Sequence, residues 1–172
     1  MTSFLIFLAV CAGIVLVAWI VTKVNGSHAW MLEDWKFNDG ETTIWRDDSA
    51  DVGMIPKAVK AAVTRPPRVH RWSVVVTNQR IITGNKTLRS GKHMVKYVLY
   101  PGAAPGGDSK RLDGRLFTTG YETLVIQPDV MMPHVDQKHP YIELRPAPDE
   151  TSSVNLSEVR IYTDLIEGFR LP

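Results

Sequence analysis

Several short segments of this 172-residue chain alternate apolar and polar residues with a period of two, but its opening does not. Phe4 to Val21 is a continuous apolar run whose only ionisable side chain is Cys11. Eighteen residues at about 1.5 Å rise make a rod of roughly 27 Å, close to a bilayer's hydrocarbon thickness. The run therefore predicts a membrane anchor over residues 1–24. Phe4, Leu5, Phe7, Leu8, Leu16, Trp19 and Ile20 supply its apolar bulk, and Ala9, Ala12, Gly13 and Ala18 are small enough for close helix packing. Trp19 and Trp30 suit the two interfaces.

Other readings of this opening fit less well. Only Met1, Thr2 and Ser3 precede the run, where a secretory signal needs basic residues, and no Ala-x-Ala site lies before Trp30. Leu8-Ala9-Val10-Cys11 resembles a lipobox, but Val10 is bulky and no Lys or Arg lies upstream. Lys23 and Lys36 follow the run and no base precedes it, so the positive-inside tendency places the C-terminal part in the cytoplasm. The expected localisation is a single-pass protein of the bacterial inner membrane with its N-terminus outside. The lone cysteine lies inside the run, leaving no disulfide for the rest. Asn25, Asn85 and Asn155 head glycosylation-like triplets that matter only in the opposite orientation.

Beyond a juxtamembrane linker at 25–39, residues 40–172 are long enough for one domain. Period-two patterning and turn residues predict strands near Thr42–Arg46, Arg71–Thr77, Arg80–Gly84, Lys92–Tyr100, Arg115–Thr118, Glu122–Gln127, Tyr141–Arg145 and Val159–Thr163. Thr77-Asn78-Gln79 reads as a hairpin turn. In Lys92–Tyr100, alternation puts His93, Val95, Tyr97 and Leu99 on one face and Lys92, Met94, Lys96 and Val98 on a wetter one. Helices are expected at Ile55–Val63, with Pro56 in its first turn, and at Asp164–Phe169. Pro101–Ser109 reads as a loop.

Gly40-Glu41-Thr42-Thr43-Ile44-Trp45-Arg46, followed by Val74-Val75-Val76-Thr77-Asn78-Gln79-Arg80-Ile81-Ile82, resembles the bacterial PH-like and GRAM-like domains. In layout the resemblance covers Gly40 to Phe169. It implies a bent antiparallel sheet or split barrel closed by a C-terminal helix. The expected fold class is thus one transmembrane α-helix plus a mainly-β, PH-like domain ending in a short helix. A helix-like insertion at Asp51–Pro67 and the brevity of the final helix depart from that family.

Charge sharpens the picture because it is segregated. Residues 52–107 hold ten Lys or Arg and no acid, whereas the other segments hold all 18 Asp and Glu against ten bases. Among these bases Arg65, Arg68, Arg71, Arg80, Lys92 and Lys96 are candidates for contact with anionic lipid headgroups or an acidic protein partner. The competing reading is internal neutralisation. Trp72, Tyr97 and Tyr100 read as core or rim rather than as a stacking platform, so no nucleic-acid partner is expected.

Catalytic signatures are weak. Gly102–Gly107 has P-loop glycine spacing, but Asp108-Ser109-Lys110 follows where Lys and Ser/Thr are required. His134-x-Asp136-x-x-His139 has metal-like chemistry in what reads as a strand connection. The sequence contains no G-x-S-x-G, H-E-x-x-H, dinucleotide or C-x-x-C pattern. No cofactor and no enzymatic activity are expected. The partners expected are the bilayer and other integral membrane subunits, for which this chain acts as an accessory subunit that caps or scaffolds a complex. A module that binds anionic lipid in membrane apposition or sensing is the alternative, and an enzyme of unrecognised type is the second alternative.

Overall fold

The computed structural model describes residues 2–26, 30–57, 72–88, 91–103, 121–148 and 156–172. Helix α1 runs over Thr2–Gly26, and seven strands follow: β1 Thr43–Pro56, β2 Trp72–Thr77, β3 Ile81–Lys86, β4 His93–Pro101, β5 Glu122–His134, β6 Tyr141–Pro146 and β7 Leu156–Tyr162. They form one closed barrel in sequence order, β1 meeting β7 through pairs from Asp51↔Tyr162 to Pro56↔Leu156. Six neighbouring pairs are antiparallel, whereas β4 and β5 run parallel from Tyr97↔Glu122 to Pro101↔Ile126. Strictly alternating directions cannot close an odd ring, so one like-directed pair is obligatory. The wholly antiparallel sheet expected from sequence is corrected on this point.

α1 forms where the apolar run predicts a helix. Among the described residues, however, no helix is long and apolar enough to cross a membrane. This corrects the transmembrane anchor, the single-pass topology and the inner-membrane localisation built on it. Of the anchor residues, Phe4, Phe7, Leu16, Trp19 and Ile20 are exposed, and the side chains of Leu5 and Leu8 lie outside the described ones. Ala12, Gly13 and Ala18 are exposed as well, and Ala9 is outside the described side chains.

The barrel is filled by its own side chains. Val74, Val76, Ile81, Leu99, Leu124, Ile126, Ile142, Leu144, Val159 and Ile161 point inward and are almost wholly buried. β1 curls far enough to serve two neighbours, pairing with β2 through Ala50 and with β7 from Asp51. The shift in register between Asp47 and Ala50 marks the bend. Asp47 supports it by accepting from the Ser49 amide and hydroxyl at 2.8 Å each and from the Thr163 hydroxyl.

Both predicted helices are corrected where the chain is described. Ile55 and Pro56 end β1, paired with Glu158 and Leu156, and proline is tolerated at a strand end because no ladder donor is needed there. Residues 58–63 lie outside the described ones, as do the strand expected at 115–118 and most of the loop at 101–109. The segment from Asp164 onward is a non-helical plug. Phe169 is 2% exposed and meets Trp45 edge-on at 5.0 Å, while the Trp45 indole donates to the Leu165 carbonyl at 3.1 Å. Gly168 at φ +87° turns the chain inward, a left-handed conformation that a helix interior does not contain.

Removing the plug should open a large void. Phe169→Ala is expected to destabilise the barrel by about 3–5 kcal/mol, read as a lowered urea midpoint at constant slope.

Candidate functional site

Residues 30–41 belong to the folded domain, where the sequence suggested a linker. They form a strap over the outer face of β2–β4. The Val95 amide donates to the Trp30 carbonyl at 2.8 Å, and Met31 bridges Met94, where β4 extends past its pairing with β5. A short 3₁₀ turn at Leu32–Asp34 then sends the chain across the sheet. Leu32 packs on Val75, Ile82, Val95 and Val98, with Trp35, Tyr100 and Tyr121 around them. Strands β2–β4 are therefore covered on both faces, inward by the core and outward by the strap.

A register shift in β4 produces that second apolar face. Thr83 pairs with Tyr97 and Gly84 with Val95, so Lys96 is an extra residue that reverses the alternation. His93, Val95 and Val98 come to lie under the strap while Tyr97 and Leu99 turn into the barrel. The simple alternation read from sequence is corrected for Tyr97, Val98 and Leu99.

Polar clamps fasten the strap at both ends. At the hairpin, Arg80 Nε and Nη2 donate to Glu41 Oε1 and Oε2 at 2.8 and 2.7 Å, with both side chains nearly excluded from solvent. The Thr77 hydroxyl adds a bond to Glu41 Oε1 at 2.8 Å, and the Asn38 amide one to Oε2 at 2.8 Å. Arg80 Nη1 donates to the Tyr100 hydroxyl at 2.9 Å, and its guanidinium lies 5.5 Å from the Trp35 ring centre. Asn78 fits the strap to the turn by accepting from the Thr42 amide at 2.9 Å and donating to the Gly40 carbonyl at 3.0 Å. Gly40, at φ +72°, makes that approach without strain.

The far clamp joins Glu33 to His93. Glu33 Oε1 lies 2.8 Å from His93 Nδ1 and accepts from the His93 backbone amide at 2.9 Å. Gly84 leaves room for this arrangement, since a Cβ there would stand 3.1 Å from that of His93. Beside it the exposed Lys92 pairs with Asp34 at 2.9 Å.

The two clamps also set the protonation of their carboxylates. Burial pushes the Glu41 and Glu33 carboxyls up, but hydrogen bonds override it: Arg80, Asn38 and Thr77 hold Glu41 below its ordinary 4.5, and His93 does the same for Glu33. Desolvation works against the Arg80 charge too, yet Glu41 and Tyr100 hold its pKa above the ordinary value.

Of the basic residues singled out from sequence, Arg65, Arg68 and Arg71 lie outside the described residues. Arg80 is buried and committed to Glu41, Lys92 is paired with Asp34, and Lys96 sits half-buried at the register shift. These three do not converge on one open basic surface. His134 is likewise held apart from Asp136 and His139: it meets Glu143 at 3.1 Å and stacks on Tyr141 at 4.3 Å, whereas the other two are exposed. Among the described residues no group of three His, Cys, Asp or Glu is placed to hold a metal ion. An open groove of about 490 Å³ at one barrel end is lined by Val135, Pro140 and Asp164–Glu167.

Glu33, Trp35 and Glu41 are the strap residues that periodicity passes over. The signal for one of them was present, because a Glu beside a glycine and an Arg after a T-N turn are complementary charges. No family model matches the chain, and neither a curated protein nor a solved structure does.

Breaking the hairpin clamp leaves a buried charge unpaired, so Glu41→Ala and Arg80→Ala should each cost about 3–5 kcal/mol. The double variant should cost much less than the sum, a coupling measured by a denaturation cycle. Glu41 has a depressed folded pKa, so its contribution is present above about 4.5 and is lost as pH falls through the lower folded value. Glu41→Gln should therefore be less stable than the natural chain at pH 7 and should lose less further stability between pH 5 and pH 3.

Proposed function

We propose that this protein is a non-catalytic accessory subunit, a rigid barrel held to a larger protein assembly through α1. The observation that carries the reading is the surface of the helix. Phe4, Phe7, Ile14, Val15, Val17 and Trp19 are each more than half exposed, Val15 reaching 68%. Large apolar side chains left in water forgo about 25 cal/mol per Å² of the surface that burial would remove. A helix apolar on every side is stable when something encloses it, and apolar helices of a partner provide that enclosure.

The barrel supports the same reading by what its polar side chains do. Glu41, Arg80, Thr77, Glu33 and His93 bond to one another in fastening the strap rather than converging on an open cavity. Its interior is filled with aliphatic and aromatic side chains. A solid barrel on an apolar stalk works by presenting surface.

Gentle extraction of the tagged full chain from its own cells, followed by size-exclusion chromatography, tests the proposal. The natural chain should elute in a stoichiometric complex far above its own 19.3 kDa, and Ile14→Asp with Val17→Asp should shift it to the monomer position with the barrel's β circular dichroism intact. Elution of the natural chain as a monomer would overturn the reading.

A further inference from the structure

The strap is fastened with a fault built into it. Among the described residues, His93 Nε2 and Trp35 Nε1 are buried side-chain nitrogens without a hydrogen-bond partner, and both lie at the strap interface. His93 is 8% exposed, and its other ring nitrogen is spent on Glu33. Bonding to the Glu33 carboxylate fixes Nδ1 as a donor, so a neutral His93 keeps a lone pair on Nε2 that nothing in the docked arrangement meets. The indole N–H of Trp35, which only donates, is stranded in the same way. Stranded buried polar atoms cost free energy that water refunds once the interface opens.

Little backbone pairing resists such opening. The strap joins the sheet by one isolated bridge, Met31↔Met94, rather than by a ladder, and its one deeply buried apolar side chain is Leu32. Beneath it Val75, Ile82, Val95 and Val98 form a continuous apolar face. The two ends differ in strength: the Glu41–Arg80 clamp is nearly dry, whereas the Glu33 side chain is 31% exposed.

We infer that residues 30–41 are a hinged strap, tied firmly at Glu41 and poised to lift from the Glu33–His93 end. Lifting hydrates both stranded nitrogens and uncovers the apolar face of β2–β4. This device is independent of the accessory-subunit reading, since it concerns the isolated chain as well as the complex.

Amide hydrogen exchange on the full-length protein, resolved residue by residue at pH 7, tests it. The His93 and Val95 amides are bonded to Glu33 and Trp30, so they report on lifting, while the amides of the β2–β3 ladder report on the barrel. The strap reporters should exchange at least a hundredfold faster than the slowest barrel amides. Glu33→Gln should speed them roughly a further fivefold with barrel rates unchanged. His93→Asn keeps a donor near the Nδ1 position and deletes Nε2, so it should slow Val95 exchange or leave it as it is. Strap amides exchanging together with the barrel, Glu33→Gln speeding both sets equally, or His93→Asn accelerating Val95 would each overturn the inference. Failure of the chain to form a complex would leave these rates untouched, which separates this test from that of the assembly role.

Discussion

A guanidinium cannot be buried alone, and much of this architecture answers to that rule at Arg80. The residue follows the T-N-Q turn of the β2–β3 hairpin, and its charge is neutralised by a carboxylate that lies 39 residues earlier in the chain. Glu41 reaches it because Asn38, Gly40 and Asn78 fold the chain around the turn with short-range hydrogen bonds. The pairing fixes where the strap ends and where β1 begins. From that point β1 runs antiparallel to β2, starting with Thr43 opposite Thr77, and the barrel can be wound.

Closure then dictates the rest of the topology. Seven strands in a ring impose one parallel pair, which falls at β4–β5 and requires a crossover connection in place of a hairpin. Because β5 begins opposite Tyr97, the early part of β4 is paired with β3 on one side and, among the described residues, has no strand on the other. Met31 and the Trp30 carbonyl occupy that gap. The strap, the parallel pair and the shift at Lys96 are thus parts of one solution to covering β2–β4 on both sides.

Local pattern showed much of this and tertiary constraint hid the remainder. Six of the strands were legible because aliphatic runs such as Val74–Val76 and Ile81–Ile82 sit between clear turn residues. The length of β1 was not, since Asp47, Asp48, Ser49 and Asp51 look like a turn and become a strand only when Thr163, Ser73 and the backbone take up their oxygens. The face reversal at Lys96 leaves no mark in composition. Pro56 looked like a helix start because proline suits a first helical turn as readily as a strand end. The strap was read as a linker because one buried leucine in twelve residues gives no periodic signal, although Glu41 and Arg80 carried a charge match that pointed to it. The opening apolar run announced a helix correctly and a membrane crossing incorrectly.

The seam between β1 and β7 has a bearing on how the protein comes into being. Asp51 waits for Tyr162, and Pro56 for Leu156, so about a hundred residues must leave the ribosome before half of β1 finds its neighbour. Until then the nascent chain carries a long unpaired edge, and such edges recruit other chains when synthesis is slow or crowded. Chaperone demand during translation should accordingly be concentrated on β1 rather than on the early β2–β3 hairpin, whose pairs are all within easy reach.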